Sequence, residues 1–254
     1  MDVYFQGAAI YNKGFSREYL AQARNFFERA LALDPSNIEA LVGRARVDYI
    51  TASTYQTHDR AASLATAEAA STKALSLAPG HAGAHLLMGM IKSHGNRAVQ
   101  GIAECERALA LDQNSALAHG SIGLAKIFLG RAEETEAHIF EAIRLSPRDT
   151  YAFLILSIAG VAKLYLGSDG EAVAWMRRSI EANRNLPYAH FFLAAALAHC
   201  GRFDEAHVAV QEGIVLDPAY TISRFRAGPA SDNRRYLTQR EHVYEGMRKA
   251  GVPE

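Results

Sequence analysis

Cysteine is scarce in this chain of 254 residues, which has only Cys105 and Cys200, far apart and with no second thiol near either. That excludes a disulfide framework and a cysteine-built zinc site, so both read as ordinary buried thiols. An excess of charge of one sign is also missing, because 27 Lys and Arg face 27 Asp and Glu. A balanced chain lacks the electrostatic footprint of a general nucleic-acid binder, and no nucleic-acid partner is expected. The tail from Thr221 to Glu254 carries seven basic against four acidic side chains, too small an excess to hold a phosphate backbone. Long apolar runs are absent as well. The uncharged stretches Thr150 to Ala162 and Leu186 to Gly201 fall short of the roughly 20 residues that a membrane helix needs. No membrane insertion is expected, and without a secretory signal pattern a cytoplasmic location is the default.

The motifs that carry chemistry are missing too. There is no GxSxG elbow, no phosphate-binding GxxxxGK[ST] loop, no GxGxxG after a strand, no HExxH and no CxxC. The acidic pairs Glu133 with Glu134 and Glu104 with Glu106 sit among basic neighbours and read as solvated helix faces. Neither catalysis nor a cofactor is expected.

What the chain does have is apolar content, 49% of it, and a phrase that recurs. An Ala-Leu-x-Leu-like helix end runs into a turn marked by Asp or Pro, and a new Ala-rich helical pattern follows. The turns fall at Pro35, Pro79, Gln113, Pro147, Arg184 and Pro218. Three of the five steps between them share one length, about 34 residues, and the other two exceed it by ten and by three. A fixed period of this length marks a solenoid, whose units each leave one apolar face to be buried by the next. The ten extra residues of the second unit are expected around Tyr49 to Asp59, as a longer inter-helix loop or an extended hairpin tip. The three extra residues of the fifth are expected at Leu166 to Gly170. After Pro218 the period stops, and a last helix is expected from about Asp232 to Ala250, ended by Gly251 and Pro253.

A unit of this length, built of two helices with a proline-marked turn, resembles the tetratricopeptide repeat family over about residues 4 to 220. Ala23, Phe27, Ala30 and Pro35 stand at the family's small, aromatic, small and proline positions. Gly123, Ala142 and Pro147 repeat the pattern in the fourth unit, and Ala194, Ala206 and Pro218 in the sixth. The chain departs from the family at Gln113 and Arg184, which replace proline, at Gly213, and in lacking the family's early Trp. The resemblance implies an all-α, right-handed superhelical solenoid of about six hairpins over residues 1–220. A capping segment and helix would follow over 221–254. The opening and closing segments also resemble the C-terminal repeat region of bacterial multidomain proteins that carry a nucleotide cyclase or a winged-helix regulator. On that reading the chain is the regulatory half of a larger signalling protein.

In the family, the first helix of each unit lines an inner groove. Carried onto this sequence, that register selects Leu86, Met90, Leu117, Leu124, Tyr151, Leu154, Ile158, Tyr188 and Phe191 as an apolar partner-binding strip, with a polar end at Asn12, Glu39 and Arg46. The implied function is a non-catalytic protein-interaction scaffold that takes an amphipathic or apolar protein or peptide segment. The strip could instead be filled by the chain's own tail or by a second copy, or be closed by tight curvature. The family's clamp for a peptide carboxylate is not carried over, because Ala8, Gly43, Gly83 and Leu87 occupy the positions compared. His85, His119 and His190 recur once per unit. Packed helices stand about 8–10 Å apart, so these side chains are too distant to share a metal and are expected to be satisfied packing histidines.

Overall fold

In a computed structural model that describes residues 3–147 and 150–254, one hydrogen bond repeats six times. The carbonyls of Ala30, Ala74, Ala108, Ala142, Ser179 and Gly213 accept the N–H of the residue four places on, which caps a helix. Each cap is followed by the turn found in the sequence. Small residues suit this position because it lies against the first helix of its own hairpin: Ser179 Oγ donates to Phe153 O at 2.7 Å, and a Cβ at Gly213 would stand 2.8 Å from the Phe191 ring.

These caps end the second helices of six hairpins: α1 (Val3–Tyr11) with α2 (Arg17–Leu33), α3 (Ile38–Ser53) with α4 (Arg60–Leu77), and α5 (Ala82–His94) with α6 (Ala98–Leu111). The series continues with α7 (Ala116–Phe128) and α8 (Thr135–Leu145), α9 (Ala152–Tyr165) and α10 (Asp169–Ala182), and α11 (Pro187–His199) and α12 (Phe203–Leu216). A short α13 (Ile222–Ala227) and a long α14 (Arg234–Ala250) complete the chain, and no strand occurs among the described residues. The architecture is an all-α superhelical solenoid of the expected kind.

The insertion of the second unit lies at the expected place, as an extended hairpin tip rather than a loop alone, whereas that of the fifth unit lies elsewhere. Relative to the third unit, α3 is three residues longer, α4 four longer and the connection three longer. The polar, β-branched stretch stays helical because its hydroxyls bond back to the preceding turn: Thr51 Oγ1 donates to Val47 O at 2.7 Å and Thr54 Oγ1 to Ile50 O at 2.7 Å. In the fifth unit the connection at Leu166 to Ser168 has the usual length. The extra residues fall in the link before α9 and in α9 itself, which is one residue longer than α7.

The hairpin turns need a left-handed residue, and the third unit uses Asn96 (φ 60°) where the next three use Gly130, Gly167 and Gly201 (φ 73 to 74°). The second unit places Tyr55 there at φ 62°, unusual for a bulky side chain. That conformation throws the ring inward, where it packs edge-on to Phe225 with centroids 5.0 Å apart.

The superhelix closes on itself. In the first hairpin, Phe15 N–H donates to Asn185 O at 2.8 Å, Asn185 Nδ2 donates to Lys13 O at 2.9 Å, and Arg17 Nε meets Asp217 Oδ1 at 2.7 Å. The tail bridges the other rim: Asn96 N–H donates to Ala230 O at 3.2 Å, Arg235 pairs with Glu133 at 2.9 Å, and Arg224 donates to Tyr55 O. From there α14 lies against α11, burying Tyr236, Val243, Tyr244 and Met247. Gly246 makes this approach possible, since a Cβ there would stand 2.7 Å from Ala195 O.

Candidate functional site

The first helices of the units do present one face inward, but closure turns the expected open groove into an interior. Two adjoining cavities lie there, of about 90 and about 20 Å³. Met90, Leu117, Leu124, Leu154, Ile158 and Tyr188 line the larger. Leu86 and Tyr151 join the smaller, which shares Met90, Leu117 and Leu154 with it. Phe191 lines neither. It is fully buried, stacked on Tyr220 with ring centroids 3.9 Å apart and planes 9° apart, so it packs the core and offers nothing to a partner.

Other lining residues were missed by the family register. His94, Phe128, Tyr165 and Phe192 sit one helical turn beyond Met90, Leu124, Val161 and Tyr188, on the same helix faces. That spacing was legible in the sequence. Tyr55, Phe225 and Tyr236 were not, because an insertion and the tail bring them in.

Among the described residues, no acidic side chain lines either cavity. Deep in the larger one, Tyr49 Oη lies 3.1 Å from His94 Nδ1. Burial, followed by the charge of Arg60, pushes His94 down to about 3, so it stays neutral and cannot act as a base near neutrality. Burial also raises the Tyr49 phenol well above its ordinary value, which denies it the role of acid. At the smaller cavity Arg46 is half-buried and has no carboxylate partner among the described residues. The rest of the polar end is occupied: Tyr151 Oη donates to Asn12 Oδ1 at 3.1 Å, and Glu39 takes His81 Nε2 at 2.9 Å.

Glu104 is not the solvated residue its neighbours suggest. It is buried, and binds Lys92 at 2.9 Å, His85 at 2.9 Å and Arg107 at 3.1 Å. The recurring histidines explain this. His85 places Nε2 2.9 Å from Pro79 O and Nδ1 against Glu104, and His190 does the same with Arg184 O at 3.0 Å and Glu212 at 3.1 Å. His119 breaks the pattern: the residue 19 places on, where His85 finds its glutamate, is His138, and Glu141, 22 places on where His190 finds its own, is bound by Arg144. His119 Nδ1 is buried without a partner among the described residues, 6.2 Å separates the two ring centroids, and burial followed by His119 lowers the His138 pKa. His138→Glu should restore the missing bond and raise stability by about 1 kcal/mol, measured by denaturant unfolding.

The fold compares with solved tetratricopeptide repeat structures. The human IFIT1 dimer with m7Gppp-AAAA superposes with a TM-score of 0.69 at 15% identity, over 96% of this chain and 58% of that one. The anaphase-promoting complex hetero-tetramer Cut9-Hcn1 gives 0.62 at 18%, over 87% and 40%. A tetratricopeptide repeat protein from Parabacteroides merdae gives 0.61 at 14%, over 93% and 82%. These likenesses define a tetratricopeptide-repeat-like solenoid. The chain thus spans little more than half the length of IFIT1 and less than half that of the Cut9-Hcn1 chain. No family model matches the sequence, and no curated protein does.

Proposed function

We propose that the protein is a non-catalytic, cytoplasmic protein-interaction scaffold that receives apolar side chains of a partner segment in the interior of its superhelix. The observation that carries this reading is the apolar cavity lined by six of the strip residues, beside which Arg46 has no carboxylate partner among the described residues. Its volume of about 90 Å³ holds one or two side chains, whereas a helix is about 10 Å across. The segment is therefore extended where it enters, and an acidic group on it would meet Arg46. The residues now assigned to the site are Leu86, Met90, Leu117, Leu124, Tyr151, Leu154, Ile158 and Tyr188, without Phe191. In a larger bacterial signalling protein the same interior would serve as the sensing half.

The reading is tested by selecting extended apolar-acidic peptides from a displayed library and measuring binding to three proteins. Leu124→Trp, which fills the cavity, should abolish binding while the melting temperature holds, and Arg46→Ala should weaken it about tenfold, the loss of a charge-assisted contact. Peptides that bind the filled variant as well as the parent, or a library that yields none, would overturn the assignment. Capped RNA, present in the IFIT1 complex, is the comparison ligand, and its binding in place of peptide would likewise reject a protein partner.

A further inference from the structure

Away from the interior, three metal-ligating side chains meet where α14 crosses the solenoid. Asp169 is the first residue of α10, His199 the last of α11, and His242 lies in the middle of α14. Each offers a ligand atom, and the three atoms lie within 4.8 Å of one another. All three side chains are half-buried, close enough to solvent for an ion to enter and sheltered enough to be held in place.

We propose that Asp169, His199 and His242 form a binding site for a divalent transition cation of the zinc, cobalt or nickel class. Two imidazoles and one carboxylate suit such borderline ions, whereas magnesium and calcium require oxygen ligands. His242 Nε2 already stands 2.8 Å from Asp169 Oδ1, so the pair need part by only a few tenths of an ångström to reach the roughly 3.0–3.4 Å between two ligands that each lie about 2.1 Å from one ion. The two imidazole rings are stacked, with centroids 3.8 Å apart and planes 6° apart.

The hydrogen bonds define what binding must change. His199 Nε2 donates to His242 O at 2.8 Å, which fixes its orientation and leaves Nδ1 as the unprotonated nitrogen. His242 now carries its proton on Nε2, toward Asp169. For Nε2 to take the ion, that proton moves through solvent to Nδ1 of the same ring, and the Asp169 carboxylate, relieved of the hydrogen bond, becomes the anionic ligand. No proton is lost overall. The His242 ring must also turn out of the stack about χ2 to converge on the ion with the fixed ring of His199, and the remaining coordination positions fall to water. The ligands come from three helices, so an ion would tie the last helix to two hairpins, independently of what the interior binds.

The test uses the full chain stripped with EDTA and titrated with zinc or cobalt ions by calorimetry, with the cobalt form read by visible absorption. The expected result is one equivalent bound, a visible cobalt band and a higher melting temperature. Asp169→Asn and His242→Gln, both close in shape to the native side chains, should weaken binding by more than the ten- to hundredfold that loss of an outer-shell partner costs. Melting of the metal-free variants shows that each still folds. His119→Gln/His138→Gln, which removes the other close histidine pair, should leave binding unchanged. No saturable binding at a tenfold excess of metal, or loss in the His119/His138 variant and retention in the other two, would overturn the site.

Discussion

Phe191→Ala lowers the stability of the folded protein by about 3–5 kcal/mol, the cost of emptying a fully buried aromatic site. A domain has about 5–15 kcal/mol in total, so the variant is expected to be partly unfolded near 37 °C. The size follows from what the ring touches. One face stacks on Tyr220, itself buried, and its edge fills the hollow over Gly213, where a Cβ would come within 2.8 Å of the ring. Neither neighbour can follow a shrinking side chain, since both are fixed at the turn that Asp217 and Arg17 hold together. Urea unfolding with circular dichroism measures the effect. A drop below about 1 kcal/mol would mean that the site collapses without loss and that Phe191 is not a packing anchor.

Gly101→Ala is expected to be nearly as damaging, at about 3 kcal/mol or more. A Cβ at Gly101 would lie 2.1 Å from Ser93 Oγ and 2.6 Å from Gly89 O, and one at Gly89 would lie 2.8 Å from Gly101 O. The two glycines let α5 and α6 pass backbone against backbone, and a carbonyl cannot rotate aside as a side chain can. Helix propensity works the other way, favouring alanine by about 1 kcal/mol, so the measured loss is what remains after that gain. Gly170 isolates the gain. It is helical with nothing within 4 Å of its missing Cβ, so Gly170→Ala should stabilise by up to about 1 kcal/mol in the same assay. Opposite signs at two helical glycines separate close approach from propensity.

The repeat period carried most of the fold. Each second helix ends two residues before its turn residue, from Pro35 through Pro218, because the turn and its cap are local and recur with the sequence phrase. The helical character of Thr51 to Ser53 was hidden, since back-bonding hydroxyls reverse the usual meaning of β-branched and polar residues. For the site, the family register found the helix faces and the repeated positions. It could not show that α13, α14 and Tyr55 would roof over those faces, which depends on superhelical curvature summed over five units. The cluster of Asp169, His199 and His242 was invisible for a related reason. Its members come from three helices, and none of them falls on the once-per-unit positions that drew attention to His85, His119 and His190.

An open solenoid behaves as a row, in which terminal units have one neighbour and unravel first. Here the row bites its own tail: the turn at Lys13 to Arg17 is bonded to Asn185 and Asp217, and the last helix lies across α11. The first hairpin is thereby tied through its turn to the far end of the row, and it cannot leave without breaking those bonds as well as its packing on α3. Such a ring has a fixed circumference. A further hairpin inserted into it would part the Arg17–Asp217 seam, so this chain, unlike an open repeat array, cannot grow or shrink by whole repeats and still close.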